Sequence, residues 1–420
     1  MRVTPERCIA TLLTGLACAG CVWAQPAAPA AHHVPGGFVN NDAHPPNASF
    51  WAWQWERLRN GLPKAPPQGW NLPAVKTDAA LLRSPAANPS MTWIGHASVL
   101  LRIGGKNVLF DPIFSPRASP LSFVGPKRLV PLPIEVAELP KIDVVMISHN
   151  HYDHLDEDSV RQLANMASGS PHFLVPLGLK QWFAERGITR VSEADWWQGF
   201  DEGPLRVTFV PVQHWSRRTL TDTNTTLWGG WVVEGEELRV IHVGDSGYSN
   251  DFRDIGERFG GFDMAFIPIG GYAPRWFMQV MHLDVPEAVR VRADLRAARA
   301  IGIHWGTFEN LTDEPADEPP LLLARQRAEQ GLRIDEFDVM QIGETRSLRW
   351  EPVGLWVVPA LGLPWGAGLA QSAAVRGGTA SICNDACAPR QAQPEGPGRI
   401  AALLVVADSL CGTPHGVADA

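Results

Sequence analysis

The sequence predicts an α/β fold built from two successive sets of strands and helices. Three observations predict it. Apolar runs of strand length recur along the chain, and those at 142–147, 207–213, 239–244 and 300–303 each lead into a polar, chemically active residue. Stretches with helical spacing fall around and between them, at 156–166, 177–186, 286–297 and 319–330. With 420 residues and 45% hydrophobic content the chain can bury a large core, so one α/β domain with flanking segments fits better than two separate domains.

At the N-terminus, Arg2 and Arg7 form a positive start before the short apolar stretch Ile9 to Ala19, followed by the small-residue site Val22-Trp23-Ala24; this is the pattern of a secretory signal over residues 1–24. A periplasmic or envelope-associated protein is the expectation. Ala19-Gly20-Cys21 resembles a bacterial lipoprotein processing box, although Cys18 stands where leucine is usual, so lipid anchoring is the alternative to release. Residues 25–49 are rich in Ala, Pro, His and Gly and read as a linker in which His32, His33 and His44 need no role. The catalytic domain is expected over residues 50–350. It opens on Trp51, Trp53 and Trp55, whose alternation outside the sheet-forming region favours exposure. About five strands are expected between Met91 and Ser148, with Gly104-Gly105 turning a hairpin. The stretch at 156–166 starts on acidic residues and that at 286–297 places Pro286 in its first turn, both marks of a helix N-terminus. Residues 351–420 differ in kind. Positions 352–375 carry no charge over 24 residues, but Pro359, Pro364 and four glycines make a poor membrane helix, and a loose low-complexity tail is expected.

The most informative segment is His149-Asn150-His151-Tyr152-Asp153-His154, just past the run at 142–147. Three imidazoles and a carboxylate within six residues need partners that core packing does not supply, because buried polar groups cost free energy unless paired. A metal centre answers that need. His149 and His151, two apart on extended backbone, point the same way, whereas Asp153 and His154 come after a bend and aim at a neighbouring position, so the spacing calls for two ions. His214, Asp245 and His304 each lie just past a strand, and strand ends on one edge of a sheet bring their loops together. His149, His151 and His214 would hold one ion, Asp153, His154 and His304 the other, and Asp245 would bridge both. His242, inside a strand, reads as a packed histidine, and His96 as a neighbour of the site.

This arrangement resembles the metallo-β-lactamase superfamily, in which His-x-His-x-Asp-His with a distal His, Asp and His forms a dinuclear zinc centre. Thr92-Trp93-Ile94-Gly95-His96-Ala97-Ser98, Phe110-Asp111-Pro112-Ile113-Phe114-Ser115, Gly125-Pro126-Lys127-Arg128, Gln213-His214-Trp215, Pro274-Arg275-Trp276-Phe277-Met278 and His304-Trp305-Gly306-Thr307-Phe308 narrow it. They resemble the N-acyl-phosphatidylethanolamine-hydrolysing phospholipase D family over residues 37–345. One departure is Ser246, where the family commonly has threonine after the aspartate. The resemblance implies a four-layer αββα sandwich, two zinc ions per chain, and cleavage of N-acyl-phosphatidylethanolamine to phosphatidic acid and an N-acylethanolamine. Two such cations would lower the pKa of a shared water until hydroxide exists near neutrality and aim it at phosphorus, with Asp153 and Asp245 fixing the ions and no protein nucleophile needed. His282 matches the family histidine beside the substrate phosphate and is expected to contact it or to assist the leaving alkoxide. Tyr152, Trp276 and Phe277 are expected substrate contacts. Among 17 tryptophans, Trp51, Trp53, Trp55 and Trp276, with Phe277, are the expected peripheral membrane surface, because amphipathic aromatics favour the headgroup interface.

A formal net charge of −8 argues against nucleic acid as a partner. Cys8, Cys18 and Cys21 fall in the signal region and Cys383, Cys387 and Cys411 in the tail, which removes thiol nucleophiles and thiolate ligands from the chemistry of the domain. A homodimer is compatible with the sequence. Two other functions would use the same ligands: hydrolysis of a soluble lactone or phosphodiester, and non-catalytic metal or lipid binding at the envelope.

Overall fold

The computed structural model describes residues 31–43, 49–85, 88–236 and 238–349; the signal, the rest of the linker, the tail and all six cysteines lie outside the described residues. A small hairpin, β1 (His33–Val34) and β2 (Gly37–Phe38), comes first. Helix α1 (Phe50–Asn60) follows, started by the Ser49 side chain accepting from the Ala52 amide and stopped at Gly61. Helix α2 (Ala79–Arg83), capped by Asp78, leads into the first sheet. Its strands are β3 (Ser90–Gly95), β4 (Ser98–Ile103), β5 (Lys106–Phe110) and β6 (Val144–Met146), then after α3 (Glu157–Ala164) β7 (His172–Pro176), and after α4 (Lys180–Ala184) β8 (Val191–Ala194). The second sheet begins with β9 (Gly199–Glu202), β10 (Leu205–Val210), β11 (Gly230–Gly235) and β12 (Leu238–His242). It continues through α5 (Asp251–Phe259), β13 (Met264–Pro268), α6 (Arg275–Met278), α7 (Val285–Asp294), β14 (Ala300–Ile303), α8 (Glu318–Gln330) and β15 (Phe337–Val339). A last strand, β16 (Thr345–Ser347), returns to the first sheet beside β3.

Each sheet has seven strands, in the orders β16-β3-β4-β5-β6-β7-β8 and β15-β14-β13-β12-β11-β10-β9. Both are half antiparallel and half parallel: β5 to β8 run parallel in one, β12 to β15 in the other. The parallel halves need crossovers, and helices supply most of them. Period-two side-chain alternation separates the layers. Val99, Leu101, Val108, Phe110, Val144 and Met146 join the core shared with the second sheet, while Leu100, Leu109, Val145 and Ile147 pack with Val160 and Leu163 of α3 and Phe183 of α4. Phe252 and Ile255 of α5, Val289 of α7 and Leu323 of α8 join the core that includes the second sheet. The result is the expected αββα sandwich.

Several expectations are corrected. Four strands, not about five, lie between residues 90 and 148, because the connection from Asp111 to Asp143 holds seven prolines and makes only isolated bridges. The helix expected over 177–186 is confined to α4, after Gly178 turns the chain with φ 90°. Residues 31–43, read as part of a linker, are folded: His32 is buried, and the His32 and His33 Nε2 atoms lie 2.7 and 2.8 Å from the two oxygens of Asp195. The tryptophan run is a helix, so Trp53 turns inward and stacks on Phe277 with ring centroids 4.9 Å apart. Phe277 is likewise buried. Among the described residues no helix is long and apolar enough to cross a membrane.

One side-chain bond ties the sheets together at the site end. Trp231 of β11, fully buried, donates its Nε1 hydrogen to the Ile147 carbonyl just past β6 at 2.8 Å. Trp231→Phe keeps a ring against Phe209, where the two now lie tilted with centroids 4.7 Å apart, but leaves that carbonyl without its donor, and we expect a loss of about 1–3 kcal/mol. Urea unfolding of the two proteins measures it; an unchanged midpoint would show that the bond adds nothing net.

Candidate metal centre

Strand ends from both sheets converge on one cavity edge. The first sheet contributes the turn after β3, Asp111 after β5 and residues 148–154 after β6; the second contributes His214, Asp245, His282 and His304 from the chain that follows β10, β12, β13 and β14. Backbone bonds join the two contributions: the His304 amide donates to the His96 carbonyl at 2.9 Å, and the Gly229 amide to the Ser148 carbonyl at 3.0 Å. Gly244 allows this approach. Its φ is +70°, and a Cβ there would meet the Ser148 Cβ at 2.8 Å.

The structure brings all seven sequence-derived ligand candidates together, with His96 and His282 beside them. His149, His151 and His214 form one group of potential donors, and Asp153, His154, His304 and His96 another. His149 Nε2 lies 2.8 Å and His214 Nε2 3.3 Å from His151 Nδ1. Asp245 stands between the groups. Its Oδ2 is 3.1 Å from His154 Nε2 and 4.0 Å from both His149 Nε2 and His214 Nε2, and its Oδ1 is 3.1 Å from His304 Nε2.

These donors fit divalent cations. Although the distances are short, His154 Nε2, His304 Nε2 and Asp245 Oδ1 are buried without a hydrogen bond of acceptable geometry. Buried polar atoms seldom stay unpaired unless something else binds them. The mixed nitrogen and oxygen set is the donor chemistry of zinc and similar ions. Charge points the same way. Burial first, then neighbouring imidazoles, push His214 and His282 down to about 3 and His151 to about 4, while His149 lies well below its ordinary value, so these rings are neutral and present lone pairs. For His96 the same causes act and the value falls to about 3. His304 and His154 go the other way: burial would lower them, but Asp245 and Asp153 outweigh it, raising His304 to about 9 and His154 well above the usual range. Burial would raise Asp153 and Asp245, yet the surrounding imidazoles hold both well below the normal carboxylate range. Two buried carboxylates thus demand positive charge from the groups around them.

Supporting residues fix the donor atoms. Asp111, not singled out from sequence, has both oxygens engaged: Oδ1 accepts from the Ser148 amide at 2.7 Å, and Oδ2 from Ser148 Oγ at 2.6 Å and His154 Nδ1 at 2.8 Å. That contact turns His154 Nε2 toward Asp245. The available signal was an aspartate one residue past a strand and before Pro112. His214 Nδ1 donates to the Met281 carbonyl at 2.8 Å, which aims its Nε2 inward. Arg218, also unforeseen, donates to the carbonyls of Asn150 and Leu155 at 2.9 and 2.7 Å and pins the histidine-rich loop. Three site residues adopt left-handed backbone despite their side chains: His96, Asp111 and His304, with φ of 54°, 37° and 63°.

The remaining candidates sort clearly. His282 is partly buried, its buried Nδ1 lies 3.9 Å from Asp245 Oδ2 without a hydrogen-bond partner, and Gly271 makes room for it, since a Cβ there would come within 2.9 Å of that atom. Arg275 holds the His282 carbonyl at 2.8 Å. His242 is a packed histidine as expected, stacked on Phe110 and donating to the Ala97 carbonyl at 2.8 Å. Tyr152, expected to touch substrate, instead donates its hydroxyl to the Arg218 carbonyl at 2.8 Å. A cavity of about 360 Å³ opens beside His96, Gly271 and His304 and is walled further by Lys64, Trp70 and Phe308.

Comparison with known proteins places this architecture. A family described as a beta-lactamase superfamily domain matches residues 106–305. N-acyl-phosphatidylethanolamine-hydrolyzing phospholipase D 1 of Caenorhabditis elegans is 42% identical over 264 residues, 60% of this chain and 74% of its own length. An uncharacterized protein of Mycobacterium tuberculosis is 41% identical over 276 residues, 62% of this chain and 73% of its own. The mitochondrial N-acyl-phosphatidylethanolamine-hydrolyzing phospholipase D of Saccharomyces cerevisiae is 35% identical over 224 residues, 52% of this chain and 47% of its own.

The donor set generates a direct expectation: the purified protein carries about two divalent ions per chain by elemental analysis. Asp111→Ala should lower their affinity about 10–100-fold in chelator competition, because His154 is then free to turn. Equal affinity in that variant would remove Asp111 from the centre.

Proposed function

The chain belongs to the N-acyl-phosphatidylethanolamine-hydrolysing phospholipase D family within the metallo-β-lactamase superfamily, and from that premise we propose that it is a dinuclear zinc phosphodiesterase that cleaves N-acylated phosphatidylethanolamines to phosphatidic acid and N-acylethanolamines. His282 carries the reading. It is a partly buried imidazole whose buried Nδ1 has no partner, set beside Asp245 and additional to the seven expected ligands. Its Nδ1 also lies within ligand reach of His214 and Asp245, so the metal content of a His282 variant separates substrate contact from ligation.

When bound, two divalent cations supply an acidified shared water and offset the charge of the phosphate oxygens. The chain's own groups do the rest. Asp245 faces the second donor group with both oxygens and the first, 4.0 Å away, with Oδ2, so it fixes the spacing of the centre. His282, neutral near pH 7, can donate from Nδ1 to a phosphate oxygen, and Arg275 and Gly271 hold it at that position.

A lipid substrate also requires a surface that meets the membrane, and α1 has the composition for it. Trp51, Trp55 and Leu58 are spaced i, i+4, i+7 and are 77%, 65% and 77% exposed, so this helix turns an apolar stripe outward. Trp276, 41% exposed, lies next to it through a 2.9 Å bond from its Nε1 to Glu56. We assign this face to peripheral contact with phospholipid, replacing the buried Trp53 and Phe277 of the sequence expectation. Export by the N-terminal signal and action at the envelope belong to the same proposal.

His282→Ala should reduce turnover of both N-acyl-phosphatidylethanolamine and a short-chain soluble phosphodiester by at least about tenfold while the metal content stays at the wild-type value. Loss of metal in that variant would make His282 a ligand instead. The double variant Trp51→Ala with Trp55→Ala should lose activity on vesicles and keep it on the soluble diester. An equal rate on vesicles would leave the membrane role without support, and wild-type cleavage of only soluble esters or lactones would overturn the lipid substrate.

A further inference from the structure

The segment that precedes α1 reaches the metal centre through three consecutive side chains, Asn40, Asn41 and Asp42. Asn40 Nδ2 donates to the His214 carbonyl at 2.9 Å, while its Oδ1 accepts from the His214 amide at 3.2 Å and from Trp228 Nε1 at 2.9 Å. One amide side chain therefore satisfies both backbone groups of a ligand candidate, as a neighbouring strand would. Asn41 Nδ2 donates to Asp251 Oδ1 at 2.7 Å, and Asp42 Oδ2 accepts from the Asn250 amide and side chain at 2.9 and 3.1 Å. Asn250 and Asp251 end the loop that begins at Asp245. The segment thus spans from His214 to the far end of the Asp245 loop.

Upstream, its attachment is equally specific. His32 and His33 both reach Asp195, the Val39 amide donates to the His32 carbonyl at 3.0 Å, and the Phe38 amide donates to the Asn224 carbonyl at 2.9 Å in the loop after His214. All of it lies before residue 106, where the match to the superfamily domain begins.

We propose that residues 32–42 are a strap that sets the metal affinity of the centre, with Asn40 the positioning residue for His214. The His214 ring is aimed from one side by the Met281 carbonyl; its backbone is held from the other side by Asn40. His214 is buried, and no strand pairs with it, so without Asn40 its amide and carbonyl lose their side-chain partner and the ring loses its fixed base. Fixing a ligand before the ion arrives removes an ordering cost from binding.

The inference rests on His214 being a ligand and is independent of the lipid substrate. Zinc affinity of the full chain is measured by chelator competition for wild type, Asn40→Ala, Asn40→Asp and Trp228→Phe, with thermal unfolding of the metal-free proteins beside it. We expect Asn40→Ala to weaken one of two ions about 10–100-fold. Trp228→Phe, which removes the other bond to the same amide oxygen, should leave both ions at wild-type affinity. Asn40→Asp, which keeps size and the acceptor but opposes an oxygen to the His214 carbonyl, should show a partial loss and serves if Asn40→Ala does not fold. Wild type binding two ions while both Asn40 variants match it overturns the strap and leaves the ligand reading intact. The same loss in Trp228→Phe as in Asn40→Ala also overturns it, because Asn40 would then act only by packing. Wild type binding no ion would instead remove the ligand reading itself.

Discussion

Two carboxylates, Asp153 and Asp245, are held ionised inside a ring of imidazoles, and that arrangement constrains everything around it. Burying such charges is expensive unless each is met by opposite charge and by aligned donors. Neighbouring rings respond in opposite directions: burial, helped by adjacent imidazoles, drives His149 and His214 neutral, whereas Asp245 and Asp153 outweigh burial at His154 and His304 and drive them toward the cation. A donor set of this polarity is stable only where a positive centre is shared. The fold supplies rigidity in proportion. Asp111, the Met281 carbonyl and Arg218 each fix one part of the set from outside it.

Rigidity also explains why unfavourable backbone is tolerated here. His96, Asp111 and His304 hold positive φ where glycine would be more comfortable. Each of these is anchored on both sides, His96 and His304 by their mutual backbone bond and Asp111 by Ser148. Local strain is thus offset by tertiary contacts, between the two sheets for His96 and His304 and within the first sheet for Asp111, and the turn conformations needed at strand ends persist.

The ligand candidates were legible because metal chemistry leaves a local signature: a dense run of donors after one strand, and single donors after three others. Strand ends carry enough spatial information to bring residues 149 to 304 into one place without knowledge of the packing. The alternation Trp51, Trp53, Trp55 was less informative, since the same residues on a helix diverge by face, and only the partner Phe277 determines that Trp53 turns inward. Asp111 was visible in a motif without revealing its role, which depends on Ser148 and His154 lying opposite it. The composition of residues 31–43 suggested a linker, because Ala, Pro, His and Gly say nothing of Asp195 or Asn250, more than 150 positions away. In each case the missing information was a tertiary partner.

Donors are divided between the sheets: the 149–154 run comes from the first, and His214, Asp245 and His304 from the second. Neither half holds a complete set. The complete set exists only where the two sheets are packed together. Ion binding by the full set therefore stabilises the packing of one sheet on the other and not either sheet alone.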